Sequence, residues 1–229
     1  MTNIRKILLG VSLLFFLAAV LAAYFFSLDR VKAPETEFPK QQDSLPVPYQ
    51  PESLPESAEK NSSTFSPPLE KAKERATKKP FGVFITKENS PVQPERFAGY
   101  HTGTDFEIFP TELNVAIPVK AVCSGELLVK RNASGYGGVI VQSCELDGAS
   151  ITVVYGHMDL SSIKFNAGDK LNTGDLLGNL GADKSAQTDG ERKHLHLGFH
   201  RGSAVNILGY VNSRAQLDSW LDPCRYVCQ

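Results

Sequence analysis

The strongest hydrophobic pattern in this chain lies at its start. After Arg5 and Lys6, the run from Ile7 to Leu28 carries no charged residue. As a helix rising about 1.5 Å per residue, such a run crosses a hydrocarbon core of roughly 30 Å, so residues 1–28 are expected to form a transmembrane anchor. A cleavable signal peptide is the alternative, since Ala18, Ala19, Ala22 and Ala23 resemble a cleavage region. Tyr24, Phe25 and Phe26 extend the apolar run past those alanines and favour the anchor. Basic residues flank both sides (Arg5 and Lys6, then Arg30 and Lys32), which leaves the orientation open.

From residue 29 to residue 80 apolar positions thin out. More than half of the fourteen prolines fall here, and acidic and basic residues balance. The segment is expected to be a disordered linker with a root-mean-square span of roughly 40 Å. Leu69 to Lys79 has helical composition but no evident apolar face to dock, so the linker is drawn to residue 80.

At Phe81 the pattern changes to short, β-rich runs separated by turn residues. Examples are Phe81–Thr86, Asn114–Val119, Glu126–Lys130, Val139–Ser143, Ile151–Tyr155 and His194–His200. A tandem repeat, Asn166-Ala-Gly-Asp-Lys-Leu171 followed by Asn172-Thr-Gly-Asp-Leu-Leu177, suggests two tight turns, each sending its leucine inward. Many short strands and no convincing amphipathic helix before Ser213 predict an all-β domain over 81–229, a mainly antiparallel sheet or barrel-like sandwich. Ser213 to Leu221 is expected to be one helix ending before Pro223.

Composition sharpens this picture in two places. A net charge of −1 offers no basic surface for nucleic acid. All four cysteines, Cys123, Cys144, Cys224 and Cys228, lie in the C-terminal half. An even number in an exported domain suggests disulfides and an oxidising compartment. If the runs around Cys123 and Cys144 form a hairpin, its turn falls at Ala133–Ser134 and the two sulfurs face each other. Cys224 and Cys228 form the second pair. No Cys-x-x-Cys knuckle is present to bind zinc.

The histidines carry the candidate chemistry. There are five, His101, His157, His194, His196 and His200, and three fall within seven positions. On an extended strand, residues 194, 196 and 200 project from one face, with apolar residues on the other. His101 and Asp105, with a glycine between them, could converge from a strand end. Two imidazoles and one carboxylate are a donor set for catalytic zinc, which takes three protein ligands and keeps one position for water. Two further histidines would then remain for proton handling near neutral pH.

In order and spacing, His-Thr-Gly-Thr-Asp (101–105), Ser-Gly-Tyr-Gly-Gly (134–138), Tyr-Gly-His-Met (155–158), the repeat at 167–178 and His-Leu-His-Leu (194–197) closely resemble the lysostaphin-type, LytM-like zinc metallopeptidases. The likeness covers about residues 80–205. It implies that His101, Asp105 and His196 bind Zn2+ and that His157 and His194 are catalytic histidines. It also implies peptidoglycan peptides as substrate and a catalytic domain outside the cytoplasm, in the cell envelope. Two departures stand out. Gly190-Glu-Arg-Lys193 precedes the His-x-His pair where the family often has small residues and Gly-Pro, and Leu197-Gly198 follows it where Phe-Glu is frequent. A catalytically silent relative that binds peptidoglycan or regulates other wall hydrolases, with a regulatory protein as partner, is the alternative, although all three ligands are present. The repeat also resembles biotinyl or lipoyl carriers, but no lysine sits at the hairpin tip between Gly135 and Gly138.

Overall fold

The computed structural model describes residues 65–229. The expected anchor, 1–28, and residues 29–64 of the expected linker lie outside the described residues. Among those described, no helix is long and apolar enough to cross a membrane.

Among the described residues thirteen strands follow one another, joined by tight turns and by longer loops. They are β1 (Phe84–Ile85), β2 (Gly99–His101), β3 (Gly103–Glu107), β4 (Pro118–Lys120), β5 (Gly125–Ala133), β6 (Gly137–Leu146), β7 (Ala149–Gly156), β8 (Met158–Asp159), β9 (Lys170–Leu171), β10 (Leu176–Leu180), β11 (His194–Arg201), β12 (Tyr210–Val211) and β13 (Trp220–Leu221). Every pairing is antiparallel. The main sheet runs β13-β11-β7-β6-β5-β9, and β3 adds to the edge of β11. Alternation along β11 and β7 sends Leu195, Leu197, Phe199, Val153 and Tyr155 into a core they share with Phe106, Leu127 and Ile140. The expected mainly antiparallel, β-rich domain is therefore present.

Local expectations hold at the turns. In the tandem repeat, the Asp169 and Asp175 carboxylates accept the Asn166 and Asn172 amides at 2.7 Å. Leu171 and Leu177 are buried. β5 and β6 form the expected hairpin, and Cys123 and Cys144 are joined across it with Cα atoms 6.1 Å apart. Cys224 and Cys228 form a second disulfide.

Two boundaries differ from expectation. Residues 65–80 belong to the folded domain. Leu69 and Ala72 are buried in the core, and Phe65 packs on Phe199 and Tyr226 with ring centroids 5.4 and 5.6 Å away. The charges there are matched individually. Arg75, on a one-turn helix α1 (Ala72–Arg75), chelates both oxygens of Glu112 at 2.6 and 2.8 Å, and Lys79 pairs with Glu95 at 2.5 Å with both side chains buried. A charged stretch reads as solvated unless its distant partners are known, and these partners lie 16 and 37 residues away. The C-terminal segment is not one helix either. A short helix α2 (Arg214–Leu217) is followed by β13, which pairs with β11, and by α3 (Cys224–Val227). Trp220 is drawn out of helical register to cover the end of β11, where its ring lies 4.8 Å from that of His200.

Candidate metal centre and active site

β11 is the backbone of the site. Its register sets His196 opposite Asp105 of β3 on one side and Gly156 of β7 on the other. Pairing alone therefore brings one histidine of the His-x-His pair beside the carboxylate of the His-x-x-x-Asp motif. It also places His157 one residue beyond Gly156. Two glycines in these motifs make the approach possible. A Cβ at Gly103 would sit 2.3 Å from the Leu197 carbonyl oxygen and 2.8 Å from the His196 ring, and one at Gly156 would sit 2.3 Å from the Tyr136 ring.

His101 Nε2, His196 Nδ1 and Asp105 Oδ1 form a triangle with sides of 3.1, 3.2 and 3.3 Å. Ligands about 2.0–2.1 Å from a tetrahedral zinc are separated by about 3.3 Å. The three atoms therefore stand where one ion would be held, and His101, Asp105 and His196 are a group able to bind a metal. The outer nitrogen of His101 is spoken for: Nδ1 lies 3.3 Å from the Pro80 carbonyl and donates to it, which leaves Nε2 bare as a ligand. The Asp105 amide donates to the Lys79 carbonyl at 3.0 Å. The chain just ahead of the expected domain boundary thus braces two of the three ligands.

Electrostatics favour the ligating protonation states. Burial alone would raise the pKa of Asp105, but His194 and His101 beside it hold the carboxyl well below the ordinary range. Burial pushes His196 down to about 4. Burial, and then the neighbouring His194, push His157 well below its usual value. A metal site requires neutral imidazoles and an ionised carboxylate, so the donor set fits zinc.

His157 and His194 complete the constellation, with ring centroids 4.3 Å apart. His157 adopts a left-handed backbone, φ 64°, rare outside glycine and often found at functional positions. Its Nδ1 is buried without a hydrogen-bond partner. His194 Nδ1 donates to the Arg192 carbonyl at 2.8 Å, and its Nε2 lies 3.3 Å from Asp105 Oδ2. These five residues line one cavity of about 360 Å³, walled by Phe97, Tyr136 and Tyr210. His200 is not among them and packs against Trp220 instead, as expected of a packing residue.

Three contributors escaped the motif reading. Tyr136, of the Ser-Gly-Tyr-Gly-Gly turn, lays its ring 5.5 Å from His157 and 5.3 Å from His196, and its hydroxyl is buried without a partner. The motif was noted, but nothing in it marked the tyrosine as part of the site. Arg192 donates to Asp105 Oδ2 at 2.8 Å and to Glu107. The Lys193 ammonium caps the carbonyls of Glu112, Leu113 and Val115. Unexpected charges at 191–193 were the only signal available for the last two.

The depressed histidines set the pH dependence of the metal-free fold. His196 and His157 stay neutral when folded but take up protons near pH 6.5 once unfolded. The unfolded chain therefore binds more protons below that pH, and stability falls as pH drops. For His196 the loss runs from pH 6.5 to about 4 and amounts to roughly 1.4 kcal/mol per pH unit. Urea unfolding of metal-free protein at pH 7.5 and pH 5 should show this decline, and bound zinc should add stability mainly at the higher pH and so widen the difference. Equal stability at both pH values would contradict the assigned protonation states.

The fold and site together define a β-sheet domain with a two-histidine, one-aspartate group able to hold a metal, flanked by two further histidines. Residues 99–207 match the family model described as peptidase family M23. Endolysin 2638A of Staphylococcus phage 2638A is 31% identical over 119 residues, covering 52% of this chain and 23% of the endolysin. The chain thus spans about a quarter of the length of that relative. Among solved structures, it is similar to cbpa from L. salivarius REN (24% identity, TM-score 0.48, covering 72% of this chain and 95% of that one). It is also similar to the catalytic domain of lysostaphin from Staphylococcus simulans (22% identity, TM-score 0.43, covering 64% and 87%).

Proposed function

We propose that this chain is a zinc-dependent endopeptidase that hydrolyses peptide cross-links or bridges in bacterial peptidoglycan, held at the membrane by residues 1–28 with its catalytic domain outside the cytoplasm. The observation that carries the reading is the ligand triangle of His101, Asp105 and His196, with His157 and His194 facing the same cavity. The match of residues 99–207 to a peptidase family supports the peptide-bond chemistry, and the disulfides support an oxidising compartment. The endolysin relative agrees with a wall substrate.

Zinc held by these ligands would supply Lewis acidity to a peptide carbonyl and lower the pKa of water toward neutrality. The chain's own residues do the rest. His194, tied through Nδ1 to a main-chain carbonyl, presents Nε2 as its proton-exchanging atom. His157, held neutral by burial, is ready to accept a proton or to donate a hydrogen bond where charge develops on the scissile carbonyl. The phenol of Tyr136, its acidity weakened by burial, stays protonated and keeps a proton to donate. Phe97 and Tyr210, stacked at 5.5 Å, wall the groove and exclude water from the reacting bond.

The test is direct. The full-length chain is loaded with zinc, incubated with purified peptidoglycan of several cross-link chemistries, and assayed for new amino groups. About one zinc per chain and new amino termini are expected. Stoichiometric zinc with no cleavage of any wall preparation would instead support the silent, regulatory relative.

A further inference from the structure

We propose that Arg192 is a positioning residue that fixes both a metal ligand and a catalytic histidine, an inference that rests on the zinc reading of this site. The charged triplet Glu191-Arg-Lys193 lies directly ahead of the His-x-His pair, and its middle residue reaches the centre in two ways. Its guanidinium is largely buried. Nη2 donates to Asp105 Oδ2 at 2.8 Å, while Nε and Nη2 chelate Glu107 at 3.0 and 2.5 Å. Its main-chain carbonyl accepts Nδ1–H of His194 at 2.8 Å.

Each contact makes a choice that the chemistry needs. A carboxylate can offer a metal either oxygen or both. With Oδ2 engaged by Arg192, only Oδ1 faces the His101 and His196 nitrogens, so Asp105 is set as a one-oxygen ligand. With Nδ1 of His194 engaged, only its Nε2 can exchange protons in the cavity. One residue thereby sets the spacing between the ligand and the proton-handling group.

A bare guanidinium so close to a divalent cation would repel it. Glu107 answers that charge. It sits opposite His194 in the β3–β11 register, chelates Arg192, and meets Lys78 at 3.3 Å. Pairing with Glu107 leaves the guanidinium as a directed donor rather than a free charge, and its planar fork aims its N–H groups at both carboxylates. Lysine at this position would keep the charge but not the plane.

The deciding variant is therefore Arg192→Lys in the full-length chain. Zinc affinity is measured by competition with a chelating dye, and the Asp105 orientation is read from crystal structures of metal-free wild type and variant. Zinc affinity is expected to fall about 10- to 100-fold, as losses of this kind usually do, with the Asp105 carboxylate turned from its native plane. The kcat should fall with KM little changed. Affinity within about twofold of wild type with Asp105 unmoved overturns the proposal. So does a lower melting temperature of the metal-free chain with zinc affinity intact, since that is a purely structural role. If Arg192→Lys does not fold, Glu107→Gln, which keeps the guanidinium but frees it to swing, is judged by the same two outcomes. Wild-type chain that takes up no zinc refutes the zinc reading, and the Asp105 orientation in the metal-free pair still decides the positioning claim.

Discussion

His194→Ala should retain about one zinc per chain and lose about 10²–10⁴-fold in kcat, the usual range for removing a general acid or base. The retained metal follows from the ligand triangle, which does not include His194. The lost turnover follows from the Nε2 that His194 presents to the cavity once its Nδ1 is tied to Arg192. His101→Ala should behave differently, because it removes one corner of the triangle and leaves His196 and Asp105 as two ligands. Zinc analysis of both variants, followed by rate measurement on the same peptidoglycan, separates the roles. Loss of zinc in His194→Ala, or retention of it in His101→Ala, would mean that the roles are assigned wrongly.

The second large effect concerns where the domain begins. A chain starting at residue 81 should not fold cooperatively, whereas one starting at residue 65 should. Removal of 65–80 takes Leu69 and Ala72 out of the core, and losing a single buried leucine side chain costs about 2–5 kcal/mol. It also strips Lys79 from Glu95 in a pair that is buried on both sides, and a buried charge left alone costs about 3–5 kcal/mol. Glu112 loses its guanidinium as well. Together these approach the whole stability of a typical domain, about 5–15 kcal/mol. Thermal unfolding of the two truncations decides it. A cooperative transition in the shorter chain, within a few degrees of the longer one, would show that the segment merely rests on the surface.

Those two effects mark where the sequence was legible and where it was not. The five site residues could be read because each motif is local. Strand alternation puts His194 and His196 on one face, and a glycine lets His101 and Asp105 converge. The hairpin joining Cys123 to Cys144 could be read because its turn residues sit midway between the cysteines. The β3–β11 register that joins the motifs is a long-range fact that no local pattern contains. The same holds for residues 65–80, whose charges look solvated until Glu95, Glu107 and Glu112 are seen facing them. At Ser213 to Leu221, helical composition lost to the open edge of β11, which draws Trp220 and Leu221 into a strand. Arg192 was visible only as an oddity, because its meaning lies in the carboxylates it meets from another strand.

The segment just ahead of β1 gives the centre an unusual kind of dependence. The Pro80 carbonyl orients His101, and Lys79 and Val83 hold the Asp105 and His101 amides through main-chain oxygens. In all three bonds the segment contributes a main-chain carbonyl and no side chain. Evolution can therefore redraw the side chain at position 80 without touching the tautomer of His101. An inserted or deleted residue in the same stretch would slide the whole carbonyl ladder out of phase with the metal centre. The length of this segment, rather than its lettering, is what the metal centre inherits.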